Sequence, residues 1–191
     1  MSARQSCTLG FRVKTGWATA VLIANSAKPV VLDSRVIELA DPGVADSRQP
    51  YHAGFGTAQT DTAKVTRLVR GIERFSRRTI AALVAEYREH YRLRSAVVVV
   101  ASLTDPASIA NQHMRAHASE GRLFRTVLVD GLKHSDVTVR VVLEREVYEL
   151  LGKALRRLPS QAKSRVAALG EGIGRWRAEQ KVAAAAAWLV S

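Results

Sequence analysis

Two short polar groupings carry most of the chemistry that this chain of 191 residues can offer. The first is Arg12, Lys14 and Thr15, inside the stretch Leu9–Ile23, LGFRVKTGWATAVLI. That stretch reads as a strand, a turn through Gly16, and a second strand beginning at Trp17. Many enzymes that hold a metal or a phosphate open this way, with an Asp near the end of the first strand. Arg12 stands at that place here. Two cations and a hydroxyl suit a phosphate, held by charge and donor geometry without a metal. The second grouping is His113, His117 and Glu120, within NQHMRAHASEGRLFR. On a helix these fall at i, i+4 and i, i+3 and share a face. Two imidazoles and a carboxylate can ligate a transition metal. No HExxH motif accompanies them, so interhelical hydrogen bonding is the reading taken and no metal is assigned. Arg115, Arg122 and Arg125 add a basic stripe to the same segment.

Other signatures are missing. There is no GxxxxGK[ST] phosphate loop and no GxSxG elbow. Gly170, Gly172 and Gly174 imitate a glycine-rich loop, but no βαβ context surrounds them. The lone Cys7 has no neighbour that would activate it, and one cysteine excludes an internal disulfide.

The elements that must position these groups follow from hydrophobic spacing. Strands are expected at Thr8–Phe11, Trp17–Ala24 and Val30–Leu39, joined by short turns as in an antiparallel meander. A long Gly- and Pro-rich loop, 41–60, contains Tyr51, His52 and Phe55. Loops of this length are often functional. Thr60 or Asp61 can cap a helix running to about Tyr91, with irregularity expected at Gly71 and Ser76. A buried strand follows at Ser95–Ser102. Further elements are a helix over Ala107–Phe124, a strand over Thr138–Leu143, a helix over Glu144–Leu155, a loop or short helix, and a last helix over Arg177–Val190. The expected class is α/β, a mixed five-stranded sheet with three leading antiparallel strands and helices on both faces. Residues 1–191 are expected to form one domain.

Composition bounds the partners. Hydrophobic residues make up 47% and charged residues 24%, as in an ordinary globular chain. The formal net charge is +12, from 29 Lys plus Arg against 17 Asp plus Glu. Such an excess favours a polyanion, DNA or RNA first. An Arg-rich, Ala-rich chain from a GC-rich genome would carry the same signature. No apolar run approaches the ~20 residues of a membrane span, and no apolar segment follows the N-terminal Arg. A cytoplasmic protein without a membrane partner is expected.

The element order and local motifs resemble the ribonuclease H-like superfamily, nearest to bacterial Holliday-junction resolvases and their pre-ribosomal-RNA-processing relatives. Leu9–Ile23 resembles the first hairpin of that family, with Gly16 and Trp17 opening strand two. Residues 95–125 resemble its central strand and following helix, and Arg177–Val190 its terminal helix. The resemblance implies carboxylates gathered around Mg²⁺, which prefers hard oxygen ligands. Its first acidic position falls on Arg12 and its second near Ala101 or Ser102. On the terminal helix Glu179 matches one acidic position, and its partner falls on Val182 or Ala183.

Three functions are therefore open. The first is a nucleic-acid-binding domain without conventional two-metal chemistry and without a cofactor, touching phosphates through Arg12, Lys14, Thr15, Arg115, Arg175 and Lys181. An Arg12–Glu179 ion pair can replace the metal as structural glue. The second is a phosphodiester hydrolase with a relocated acidic site, using Mg²⁺ with Glu179 and either Glu144 or Glu120. The third is a non-catalytic scaffold or interaction protein, self-associating as a homodimer through the helix at 61–91, with the Tyr51–Phe55 loop as a contact for a partner.

Overall fold

The computed structural model describes residues 4–26 and 28–191. The chain opens with β1 (Ser6–Val13), β2 (Trp17–Ala24) and β3 (Val30–Glu38). A small hairpin, β4 (His52–Gly54) and β5 (Thr57–Ala58), precedes α1 (Thr62–His90). Then come β6 (Arg92–Val100), α2 (Gln112–His134), β7 (Thr138–Leu143), α3 (Val147–Leu155), α4 (Pro159–Ala168) and α5 (Ala178–Trp188). The main sheet has five strands in the order β3-β2-β1-β6-β7. β1, β2 and β3 pair antiparallel, whereas β1–β6 and β6–β7 pair parallel. The expected mixed sheet with three leading antiparallel strands is the one observed.

β1 lies at the centre and is buried on both faces from Cys7 to Val13, the polar Thr8 and Arg12 included. Alternation then sorts its side chains. Leu9, Phe11 and Val13 join a core with Ile72, Ile80, Val84, Phe124 and Leu128 from α1 and α2. Val21, Ile23, Val97 and Val99 face the opposite core, built with α3, α4 and the alanines 183–187 of α5. Gly10 makes the second core possible. A Cβ on it would lie 1.9 Å from the Ala183 carbonyl oxygen and 2.8 Å from the Ala187 nitrogen. The Gly in β1 and the Ala run in α5 are thus two halves of one close approach.

The β1–β2 turn closes with the Lys14 N–H donating to the Trp17 carbonyl at 2.9 Å. Gly16 adopts φ +85°, in the left-handed region where a side chain is strained. Its carbonyl accepts from the Leu39 and Ala40 N–H groups at 2.8 and 3.0 Å, tying the end of β3 to the turn.

Several boundaries differ from expectation. α1 runs without a break through Gly71 and Ser76. Ser76 is buried, and its hydroxyl satisfies itself on the Leu39 carbonyl at 2.5 Å. The Asp61 side chain caps α1 on Lys64 N–H at 2.9 Å. The helix expected from Ala107 starts at Gln112 and continues to His134. Asp105 caps only a short 3-10 turn, Pro106–Ser108, and Asn111 caps the true helix on Met114 N–H at 2.9 Å. β6 stops at Val100, leaving Ala101 and Ser102 exposed, and 159–168 is a helix. Residues 41–60 are a folded excursion rather than a plain loop. Ser47 is buried with its hydroxyl on the Asp41 carbonyl at 2.7 Å, and His52 is buried in β4. Among the described residues, no helix is long and apolar enough to cross a membrane.

Candidate functional site

Ligands of open α/β sheets gather outside the carboxyl ends of parallel strands. β1 and β6 are such a pair, and a cleft of about 480 Å³ opens there, lined among others by Arg12, Lys14, Thr15, Ser102, His117 and Arg122. Arg12 is only 3% exposed. Its Nη2 pairs with Glu144 Oε2, and its Nη1 donates to the Val13 carbonyl at 2.5 Å. Its Nε is buried without a partner. Strand register explains the choice of Glu144. Arg12 lies beside Val99 and Val99 beside Val142, so the residue two beyond Val142 shares that face.

The Arg12–Glu179 pair suggested by the sequence does not form. Glu179, in the first turn of α5, lies 3.8 Å from Lys14 Nζ instead. α5 therefore delivers its carboxylate to the tip of the β1–β2 turn, while Arg12 reaches toward the end of β7. Glu120 is also remote from this pairing, being buried against His52. The three carboxylates considered for a relocated acidic site each face a different cationic or imidazole partner. Among the described residues they do not assemble into one ligand group.

The other sequence candidates divide. Thr15 and the half-exposed Lys14 sit on the cleft wall. Arg122 joins them and lies 3.3 Å from Asp105. Arg115 is spent on structure, donating from Nε to the Ile109 carbonyl at 2.8 Å and from Nη2 to Ala110 at 3.3 Å. Arg175, exposed between α4 and α5, and Lys181, half-buried in α5, are not on the cleft wall.

The histidine grouping is denser than its sequence spacing indicates. His113, His117 and Glu120 do share one face of α2, and the β4 hairpin places His52 on top of them. His52 Nδ1 lies 2.7 Å from Glu120 Oε1, with His52 5% and Glu120 0% exposed. An ionised carboxylate only accepts, so Nδ1 donates to Glu120, and in the neutral ring Nε2 then keeps its lone pair. That Nε2 is buried and unpartnered. His113 and His117 bring their Nε2 atoms to 3.2 Å, and the ring centroids of His52 and His117 are 4.5 Å apart. One nitrogen from each of the three imidazoles lies within 4.8 Å of the others. Burial, then the charges of His52 and His113, lower the pKa of His117 and favour its neutral ring. Burial raises the pKa of Glu120, and its hydrogen bond to His52 opposes that rise. Sequence spacing does not mark His52 as a site residue, since its only signal there is membership of a long polar segment.

This sheet order and its two helical layers define a ribonuclease H-like fold. The chain is similar to Thermus thermophilus RuvC in complex with a Holliday junction substrate, with a TM-score of 0.61 and 11% identity over 96% of this chain and 91% of that one. A further T. thermophilus RuvC structure matches with a TM-score of 0.53 and 12% identity, covering 96% of this chain and 92% of the other. No protein-family model matches the sequence. No curated protein matches it either. Identities this low establish a shared fold, so the function must be argued from this chain's own residues.

Proposed function

We propose that this chain acts as a single nucleic-acid-binding domain in the cytoplasm, gripping phosphates along the cleft at the ends of β1 and β6 without conventional two-metal nuclease chemistry. The observation that carries the reading is Arg12. A guanidinium paired with Glu144 occupies the floor of the cleft, where Mg²⁺ would need a carboxylate oxygen. Lys14, Thr15 and Arg122 supply donors on the walls. The net charge of +12 supplies the long-range attraction. Exposed Arg67, Arg70, Arg74 and Arg77 form a separate basic stripe on α1. Their like charge opposes a homodimer formed by pairing that face with itself. The junction bound by the similar RuvC makes branched DNA the first ligand to try.

Fluorescence anisotropy with branched DNA, duplex DNA and structured RNA across a salt series tests this. Affinity should fall with salt at a slope of about −0.9 per duplex phosphate neutralised, and Lys14→Ala and Arg122→Ala should each flatten it. No affinity at low salt overturns the proposal. Cleavage dependent on Mg²⁺ and lost in Glu144→Gln or Glu179→Gln overturns its non-nuclease part. A second reading, a scaffold that meets a protein partner through the β4–β5 turn, is favoured by Phe55, which stands wholly in solvent there. Sedimentation with and without DNA separates the two.

A further inference from the structure

We propose that His52, His113 and His117 form a binding site for a zinc-class divalent cation, oriented by Glu120 and open toward the cleft. The donor set selects the ion. Three imidazoles suit Zn²⁺ and its borderline neighbours, whereas Mg²⁺ and Ca²⁺ require oxygen. Distances suit it as well. Zinc bound at about 2.0–2.1 Å in tetrahedral geometry sets its ligand nitrogens about 3.3 Å apart. The Nε2 atoms of His113 and His117 are already 3.2 Å apart. All three donor nitrogens fall within 4.8 Å, so small ring rotations close the set.

Glu120 provides the second, independent sign. Metal-bound imidazoles commonly donate their other N–H to a carboxylate, which fixes the tautomer and raises the basicity of the ligating nitrogen. His52 has this arrangement, with Nδ1 at 2.7 Å from Glu120 Oε1. It leaves Nε2 buried, unpartnered and available as a donor. A set built only for hydrogen bonding would not leave that nitrogen unused. Three protein ligands leave a tetrahedral ion one free position. His117 lines the cleft, so that position belongs to water or to an oxygen of whatever the cleft holds. The cleft then carries two different positive groups, the Arg12 guanidinium on its floor and a Lewis acid beside His117.

The test uses the full chain, stripped with chelator and titrated with ZnCl₂ or CoCl₂. Calorimetry should show about one ion per chain and a higher melting temperature with metal. Co²⁺ should give the intense visible absorption of a tetrahedral site. His113→Gln combined with His117→Gln should abolish both, and these partly exposed positions on α2 tolerate the change. His52→Gln should weaken binding at least tenfold. X-ray absorption of the wild-type Zn²⁺ form counts imidazole scatterers directly, so the question stays answerable if His52→Gln does not fold. Three imidazoles support the site. Two imidazoles, unchanged affinity in His52→Gln, or no binding overturns it. The readout is independent of nucleic-acid binding, so either proposal can fail alone.

Discussion

Glu120 and His52 are 68 residues apart in sequence, yet their side chains meet at 2.7 Å in an almost water-free contact between α2 and the β4 hairpin. The hairpin has few other anchors of comparable strength, since Ala53, Gly54, Phe55 and Gly56 are exposed. Removing the carboxylate by Glu120→Ala leaves a buried N–H without an acceptor and a void in α2. The expected loss is about 3 kcal/mol in urea unfolding. Glu120→Gln keeps an acceptor oxygen and should cost about half as much. Equal losses for the two variants would show that shape, not the hydrogen bond, holds the hairpin.

Gly10→Ala tests the contact between β1 and α5. The added methyl group collides with backbone, which cannot rotate away as a side chain can. α5 must shift off the sheet. The expected cost is about 3 kcal/mol or more, at the upper end for overpacking. Circular dichroism melting checks it, and a loss under about 1 kcal/mol would mean that α5 is not seated as described.

Glu144→Ala should destabilise the fold by only about 1–2 kcal/mol. Arg12 is buried, but Glu144 is partly solvated, which screens the pair. Arg12→Met removes the orphaned guanidinium. The double variant should therefore be more stable than the sum of the single losses implies, with a coupling of about 1 kcal/mol. Strict additivity would dissolve the pair as an energetic unit.

Burial pushes the Cys7 thiol up from 9.0 to about 11. The native thiol should be almost inert to iodoacetamide at pH 8 and react at a normal rate in urea. Between these two values an unfolded thiol ionises while the folded one keeps its proton. Cys7 thus adds stability below pH 9 that is lost as pH rises toward 11. A Cys7→Ser variant should show a shallower decline over that window. Rapid alkylation of the native protein would contradict the burial of β1 at this end.

The strand and helix order was legible because each element carries its own period, from the valines of β6 to the apolar stripe of α1. Failures fell where a partner distant in sequence decides the outcome. Periodicity cannot separate Asp105 from Asn111 as the cap of α2, since both are good caps. Only the three-dimensional path past Ile109 shows which is used. The i, i+4 spacing of His113 and His117 announced a shared face, but His52 arrives through a hairpin that has no periodic signature. Arg12 stands out in the sequence as the unusual residue of β1. Its partner does not, because Glu179 and Glu144 look equally available until strand register places one of them on the guanidinium's face.

The seating of alanines 183–187 against β1 has a kinetic consequence. Beside α3 and α4, α5 covers this face of β1 and β2 from more than 150 residues downstream. The β1–β2–β3 meander can assemble early from near neighbours, but that face stays wet until the last helix docks. Contacts of such long range slow folding. Ala185→Gly should accordingly speed unfolding and barely change the folding rate, and a φ-value near one at that position would place the docking of α5 before the barrier rather than after it.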